Sequence, residues 1–282
     1  MKTNLKPIIN WEIRTEPVLT PTNSDTKRKA IVRSDNNELL GIVGKDYSPV
    51  YNTQFMELTE ALISTGEFIH KGYNEFNGGK TVLAFLENQN KDLKLNNCSV
   101  KEYLIIGNTH DGTQPFYIGT AANLIRCANQ YFSTLKVLKK KHNSPLHIDH
   151  FSILNLIQNY KLKKSMVYDV FDGMEKVKVS ESVVEQLIKE IHKMLATDSR
   201  SIAPSELGKS PSMITLRKSI EHEMKDLGNN AFGLFNGVTW YTSHEMRNAG
   251  ADFGKVTGTA NIINQKAYRF CANLKRKSNL YV

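Results

Sequence analysis

The spacing of apolar residues changes partway along this chain, and that change dictates the kind of fold it can form. Between Lys80 and Thr120 apolar residues come in short runs bounded by turn-forming residues: about Lys80–Glu87, Glu102–Asn108 and Phe116–Thr120, the last two flanking His110-Asp111-Gly112. Runs of this length separated by turn-forming residues read as strands of an antiparallel meander. From Phe151 onward the apolar residues instead fall at i, i+3 and i+4, the spacing of amphipathic helices. Strands followed by helices predict an α+β protein with an antiparallel sheet and a mainly helical C-terminal half.

Upstream of the meander, residues 1–29 are polar, carry Pro7, Pro17 and Pro21, and end in Lys27-Arg28-Lys29, which reads as an extended basic arm. Ordered structure is expected from about Ala30, where Ala30–Arg33 and Leu39–Val43 flank Ser34-Asp35-Asn36-Asn37 as a hairpin. After a turn at Tyr47-Ser48-Pro49, Asn52 suits a helix N-cap. Phe55, Leu58, Thr59, Leu62 and Ile63 then keep helical spacing until Gly66.

Downstream of the meander, Leu124, Ile125, Ala128, Phe132 and Leu135 also keep helical spacing, so Ala121–Leu138 is expected to be a helix completing a β-β-β-α core. Further helices are expected at Phe151–Tyr160, Ser180–Leu195, Ser212–Leu227, Ala231–Met246 and Thr259–Leu274. The second has a Ser182-x-x-Glu185 capping pattern; the third has Pro211 at its start and Gly228 as a stop. Thr197–Ser212, rich in Ser, Pro and Gly, links two of them. The expected division is an arm (1–29), an α+β core domain (30–142) and a helical region packed on the core (143–282).

The chain has 282 residues, 40% of them hydrophobic, and a formal charge of +9 with pI near 9.3. That suffices for a substantial core and leaves an excess of cations that favours polyanionic partners. No apolar run approaches the roughly 20 residues that span a bilayer, and Met1–Asn10 lacks the features of a signal peptide, so a cytoplasmic protein without a membrane partner is expected. Cys98, Cys127 and Cys271 are widely spaced and in no paired motif, which reads as reduced thiols.

Cations crowd two places near the middle of the chain: Lys136, Lys139, Lys140, Lys141 and His142, then Lys161, Lys163 and Lys164; Lys275-Arg276-Lys277 form a third group. Such groups also arise merely by complementing helix C-termini and solvating a surface. Several on a net cationic chain point to a phosphate backbone, and single-stranded binding adds aromatic faces on which bases stack. Phe116, Tyr117, Tyr131 and Phe132 are the aromatics beside the basic segment, and alternation lets at most one of Phe116 and Tyr117 be a platform if the other is core.

Other candidate chemistry is weaker. Asn77-Gly78-Gly79-Lys80 superficially resembles a phosphate-cradling loop but lacks the Walker spacing and leads into a strand, so a plain glycine turn is expected. His142, His147 and His150 match no metal-binding spacing, and Pro145 interrupts them. Cys127 beside Arg126 has no base placed by sequence to activate it. Neither a catalytic residue, a metal nor a cofactor is therefore assigned.

Several segments together are similar to the phage/plasmid-like family of uncharacterised proteins: Leu40-Gly41-Ile42-Val43-Gly44-Lys45-Asp46-Tyr47 with Val50 and Asn52, and the strand after Gly78-Gly79-Lys80. Asn108-Thr109-His110-Asp111-Gly112, Thr120–Asn129 with Arg126-Cys127-Ala128-Asn129, and Asn236-Gly237-Val238-Thr239-Trp240-Tyr241-Thr242-Ser243-His244 continue the match. The resemblance implies an origin in a phage, prophage or plasmid. The β-β-β-α order with basic and aromatic residues also resembles, in architecture alone, phage single-strand annealing proteins, which hold single-stranded DNA in a basic groove.

The expected function is binding of single-stranded DNA or RNA, extending to strand annealing or recombination; sequence leaves the oligomeric state open, with a homo-oligomer one option. Lys136, Lys139, Lys140 and Lys141 are the leading phosphate contacts, Lys80 and Arg126 weaker ones, and Tyr117 or Tyr131 the stacking residue. The alternatives are a nucleic-acid-processing enzyme using His110-Asp111 and Arg126, and a host-interaction protein of a mobile element.

Overall fold

The computed structural model describes residues 9–90, 93–95, 98–124, 130–147, 149–195, 210–246 and 258–278; side chains at 93, 98, 122–136 and 275–278 lie outside that description. The chain forms two compact units, each assembled from separate stretches: 1–91, 102–120 and 135–163 in the first, and 92–101, 121–134 and 164–282 in the second. The boundary expected after residue 142 thus differs from a division in which the sequence enters each unit three times.

In the first unit, β1 (Ile13–Leu19), β2 (Asp25–Arg33) and β3 (Leu39–Gly44) form an antiparallel sheet with Ile13 opposite Arg33 and Val32 opposite Leu39. The segment expected as an arm therefore holds a full strand and most of a second. Its prolines do not prevent this, because Pro17 lies in β1 at the sheet margin, where a missing N–H costs no ladder bond. The expected hairpin is present as β2–β3.

Helix α1 (Asn52–Ser64) buries Phe55, Leu58, Thr59 and Leu62, the face its spacing requires. Tyr51 holds the N-cap position rather than Asn52. The open amides of the first turn go to Glu12 instead: Asn52 N donates to Oε1 at 2.8 Å and Thr53 N to Oε2 at 3.0 Å. A carboxylate here also complements the positive end of the helix dipole.

A second sheet follows, with β4 (Phe68–Phe76), β5 (Thr81–Asn88), β6 (Leu93–Leu95), β7 (Cys98–Thr109), β8 (Phe116–Leu124) and β9 (Gln130–Lys140) in the order β4-β5-β7-β8-β9, β6 pairing with β7. On one side, Val82, Ala84, Leu86, Leu104, Ile106, Phe116 and Ile118 gather with α1 and with Ile153, Leu156, Ile157 and Tyr160 of α2 (His150–Glu175) in one core. The opposite side is closed as well, since Leu83, Ile105 and Tyr117 are buried.

The three strands expected between Lys80 and Thr120 are β5, β7 and the first part of β8. The helix expected at Ala121–Leu138 is not formed: 121–124 continue β8 and 130–140 are β9, so a fourth strand follows the three expected ones before α2. Tyr131, Phe132, Thr134 and Val137 favour a pleated, half-buried setting. The local helical spacing is overridden by non-local pairing with β8, which makes 130–140 a strand.

The second unit is largely helical. It comprises the later turns of α2, α3 (Glu181–Leu195), α4 (Pro211–Leu227), α5 (Ala231–Trp240), a π-turn at Tyr241–Glu245, and α6 (Thr259–Ser278). Ser180, not Ser182, starts α3, its carbonyl accepting from Val183 N and Val184 N. Pro211 and Gly228 bound α4 as expected, and Gly228 has φ of 105°. Helix α5 is buried from Ala231 to Thr239, and α4 packs against it at two glycines: a Cβ on Gly237 would fall 2.3 Å from Ile220 Cα, one on Gly233 3.2 Å from Met224 Cα. Phe171 meets Phe232, Phe235 and Tyr268 in an aromatic cluster beside them. None of the described helices is long and apolar enough to cross a membrane.

Candidate nucleic-acid interface

β9 is the last strand in the sheet order, and its C-terminal end carries the lysines. Lys139 and Lys141 are exposed. Lys140 is half-buried and donates from Nζ to Ser144 Oγ at 2.7 Å. A helix would have set these lysines on neighbouring faces; the strand sends Lys139 and Lys140 to opposite sides. Cations on an edge strand also discourage pairing with another chain, a role that needs no ligand.

The position of this end is held firmly. Ser48 N donates to His142 O at 2.7 Å, the His142 ring stacks on Tyr47 with centroids 4.7 Å apart, and Tyr47 OH donates to Thr109 O at 3.1 Å. Burial lowers the His142 pKa, the contact with the Ser48 carbonyl opposing the shift. Val137 and Leu138 pack against the core that α2 also enters. The exposed lysines thus project from an anchored segment.

Lys80 and Tyr117 do not join them. Lys80 is half-buried at the start of β5, where its carbonyl accepts from His110 N at 2.8 Å. β5 lies three strand spacings from β9, about 14 Å across the sheet. Tyr117 is only 8% exposed, its ring lying over Gly107, and burial raises its phenol pKa. Because Phe116 is buried too, neither residue of the pair offers a stacking face. Arg126 lies outside the described residues, as do the side chains of Tyr131 and Lys136.

His110, a candidate in the enzyme reading, sits in a closed polar junction at 0% exposure. Asn52 Nδ2 donates to Trp11 O at 3.0 Å, which turns Asn52 Oδ1 toward His110 Nε2, also at 3.0 Å. The imidazole is therefore the neutral tautomer protonated at Nε2. Desolvation lowers its pKa to about 3. Asn108 Nδ2 donates to Val50 O at 3.0 Å beside it, and the Trp11 ring stands edge-on to the imidazole. With no solvent contact, His110 joins the N-terminal segment, α1 and β7 rather than meeting a substrate.

The glycine turn is occupied by protein. Gly79 has φ of 97°, and a Cβ there would meet Trp11 Cζ2 at 2.7 Å, while Arg33 lies 4.1 Å over the Trp11 ring and donates to Gly78 O at 3.0 Å. Trp11 Nε1 donates to Glu75 Oε2 at 2.7 Å. Trp11 and Glu12 are the residues that sequence reasoning passed over; the signal was an apolar Ile8-Ile9-x-Trp11-x-Ile13 run inside the supposed arm. Among the described residues, no group of three or more His, Cys, Asp or Glu side chains is placed to hold a metal ion.

Two antiparallel sheets followed by a buried-helix bundle define an α+β protein. Residues 39–274 match the family described as Domain of unknown function (DUF932), and the chain belongs to that family. Comparison with curated proteins and with solved structures finds no match. The matched span starts at β3 and ends within α6, so it leaves out Trp11 and Glu12.

Proposed function

We propose that this protein binds single-stranded nucleic acid through a basic surface that includes the end of β9, and that holding a strand there promotes annealing with its complement. The reading rests on how unevenly charge is distributed. Between Leu135 and Lys163 the only acid is Asp149, against Lys136, Lys139, Lys140, Lys141, Lys161 and Lys163. Phosphates need a density of cations rather than a fixed geometry, which such a stretch supplies. The resemblance to phage and plasmid proteins supports a mobile-element origin and action in the cytoplasm of a bacterial host.

Titration of labelled single-stranded and duplex oligonucleotides across a salt series tests this. Binding of single strands that weakens linearly in log affinity against log salt supports the proposal. No binding at low salt, or binding indifferent to salt, overturns it. The rate at which complementary strands pair with and without the protein tests annealing, and light scattering on the same samples measures assembly.

A further inference from the structure

Helix α2 turns an unusual face to solvent. Ile153, Leu156, Ile157 and Tyr160 point into the core, while Phe151, Leu154, Asn155, Gln158, Asn159 and Leu162 are exposed. Phe151 is 72% exposed, more than any other large apolar side chain described. On a helix with 3.6 residues per turn these exposed positions form one strip opposite the core. Scattered exposed leucines need no explanation, but an ordered strip headed by an open phenyl ring does.

We infer that this strip is where the bases of a single strand rest, with Phe151 as stacking platform and Asn155, Gln158 and Asn159 as partners for base edges. The inference builds on the proposed nucleic-acid binding and locates its base contacts. Composition discriminates among occupants. A protein helix would need the aliphatic seam to continue at position 158, where Gln158 interrupts it. A lipid surface would have to desolvate three amide side chains on the buried side. Bases need this mixture: an aromatic face for stacking and amides that donate and accept at their edges.

Charge agrees with that occupant. Nothing acidic lies on α2 between His150 and Tyr168, and Lys161 and Lys163 border the strip. Lys161 Nζ is held by Glu67 Oε1 at 2.6 Å, so Lys163 and the exposed Lys139 and Lys141 of the same unit supply phosphate contacts. Tyr117 and Phe116 are closed within the sheet, whereas Phe151, at 72%, is the most exposed aromatic ring among the described residues.

Phe151→Ala and the pair Asn155→Ala with Gln158→Ala test this by fluorescence anisotropy on a single-stranded oligonucleotide, with thermal unfolding measured beside it. Phe151→Ala should weaken binding about tenfold or more at an unchanged salt slope, and unfolding should not shift. The amide pair should reduce discrimination between homopolymers of different base. Wild-type affinity in Phe151→Ala overturns the inference while leaving the proposed function intact, provided alanines at Lys139 and Lys141 still weaken binding. If the wild-type protein binds no oligonucleotide, the proposed function itself fails, and this inference with it. A drop in solution mass for Phe151→Ala, with affinity per chain unchanged, would make the strip an interface between copies; loss of sedimentation with anionic vesicles alone would make it a lipid surface. Either result overturns the assignment to bases.

Discussion

His110 Nε2 lies 3.0 Å from Asn52 Oδ1 in a site that solvent does not reach, and that hydrogen bond joins the end of β7 to the start of α1. Asn52 in turn holds Trp11 O, so three distant parts of the chain meet at one neutral imidazole. The folded-state pKa near 3 lies below the ordinary 6.5. Between those values the unfolded chain binds the extra proton, so stability is fully present above about pH 6.5 and falls as the pH drops toward 3. Burial lowers the pKa of His70 and His142 in the same direction. The free energy of unfolding from urea titrations should fall as the pH is lowered across that window. In His110→Gln the decline should be visibly shallower, with stability at pH 7 reduced by about 1–3 kcal/mol.

Glu12 carries a second long-range tie. It accepts from two first-turn amides of α1, Asn52 N and Thr53 N, and from the adjacent Ile13 N at 2.8 Å. Glu12→Ala should cost about 1–2 kcal/mol, the range for removing a helix cap, as read by chemical denaturation. Glu16, an exposed β1 residue whose partner is the neighbouring Arg14, is the control: Glu16→Ala should stay within about 0.5 kcal/mol.

At Gly237 the obstruction to a side chain is backbone, because Ile220 Cα would lie 2.3 Å from the new Cβ. Backbone cannot rotate aside, so α4 and α5 must separate. Gly237→Ala should therefore destabilise by about 1–3 kcal/mol or more, despite alanine's better helix propensity. Gly44→Ala, where a Cβ meets nothing within 4 Å, should shift the unfolding temperature little. Equal effects at the two positions would refute the close-packing account.

How legible was this in the sequence? Wherever one face repeats over several turns, as Val184, Leu187, Ile188 and Ile191 do on α3, the element followed from spacing. Ala121–Leu138 misled because its apolar residues fit a helix locally while β8 fixed them non-locally. Trp11 and Glu12 were hidden for a related reason: their partners, Glu75 and Asn52, are 64 and 40 residues away. Tyr117 illustrates the converse limit. Alternation correctly separated it from Phe116, yet could not reveal that this sheet is covered on both sides. Phe151 reads from spacing as part of its helix stripe, although Ile153, Leu156, Ile157 and Tyr160 already complete a core face from which it stands apart.

Charge and stacking make different demands, and the end of β9 isolates the first. Lys139 and Lys141 are exposed and Lys140 is tied to Ser144, so replacing the exposed pair with alanine removes cations without opening any part of the core. Each cation withdrawn from the phosphates of a single strand lowers the slope of log affinity against log salt by about 0.7, so the double variant should fall by about 1.4. Binding should weaken by a similar factor for every sequence tested, because phosphates carry no base information. Adding Lys140→Ala should lower the slope by less than a further ~0.7, since that ammonium already has an oxygen partner. Thermal unfolding of both variants should match the wild type. A double variant with the parental slope and affinity would move the phosphate-binding surface away from β9, and a lowered unfolding temperature would mean these lysines support the sheet edge instead.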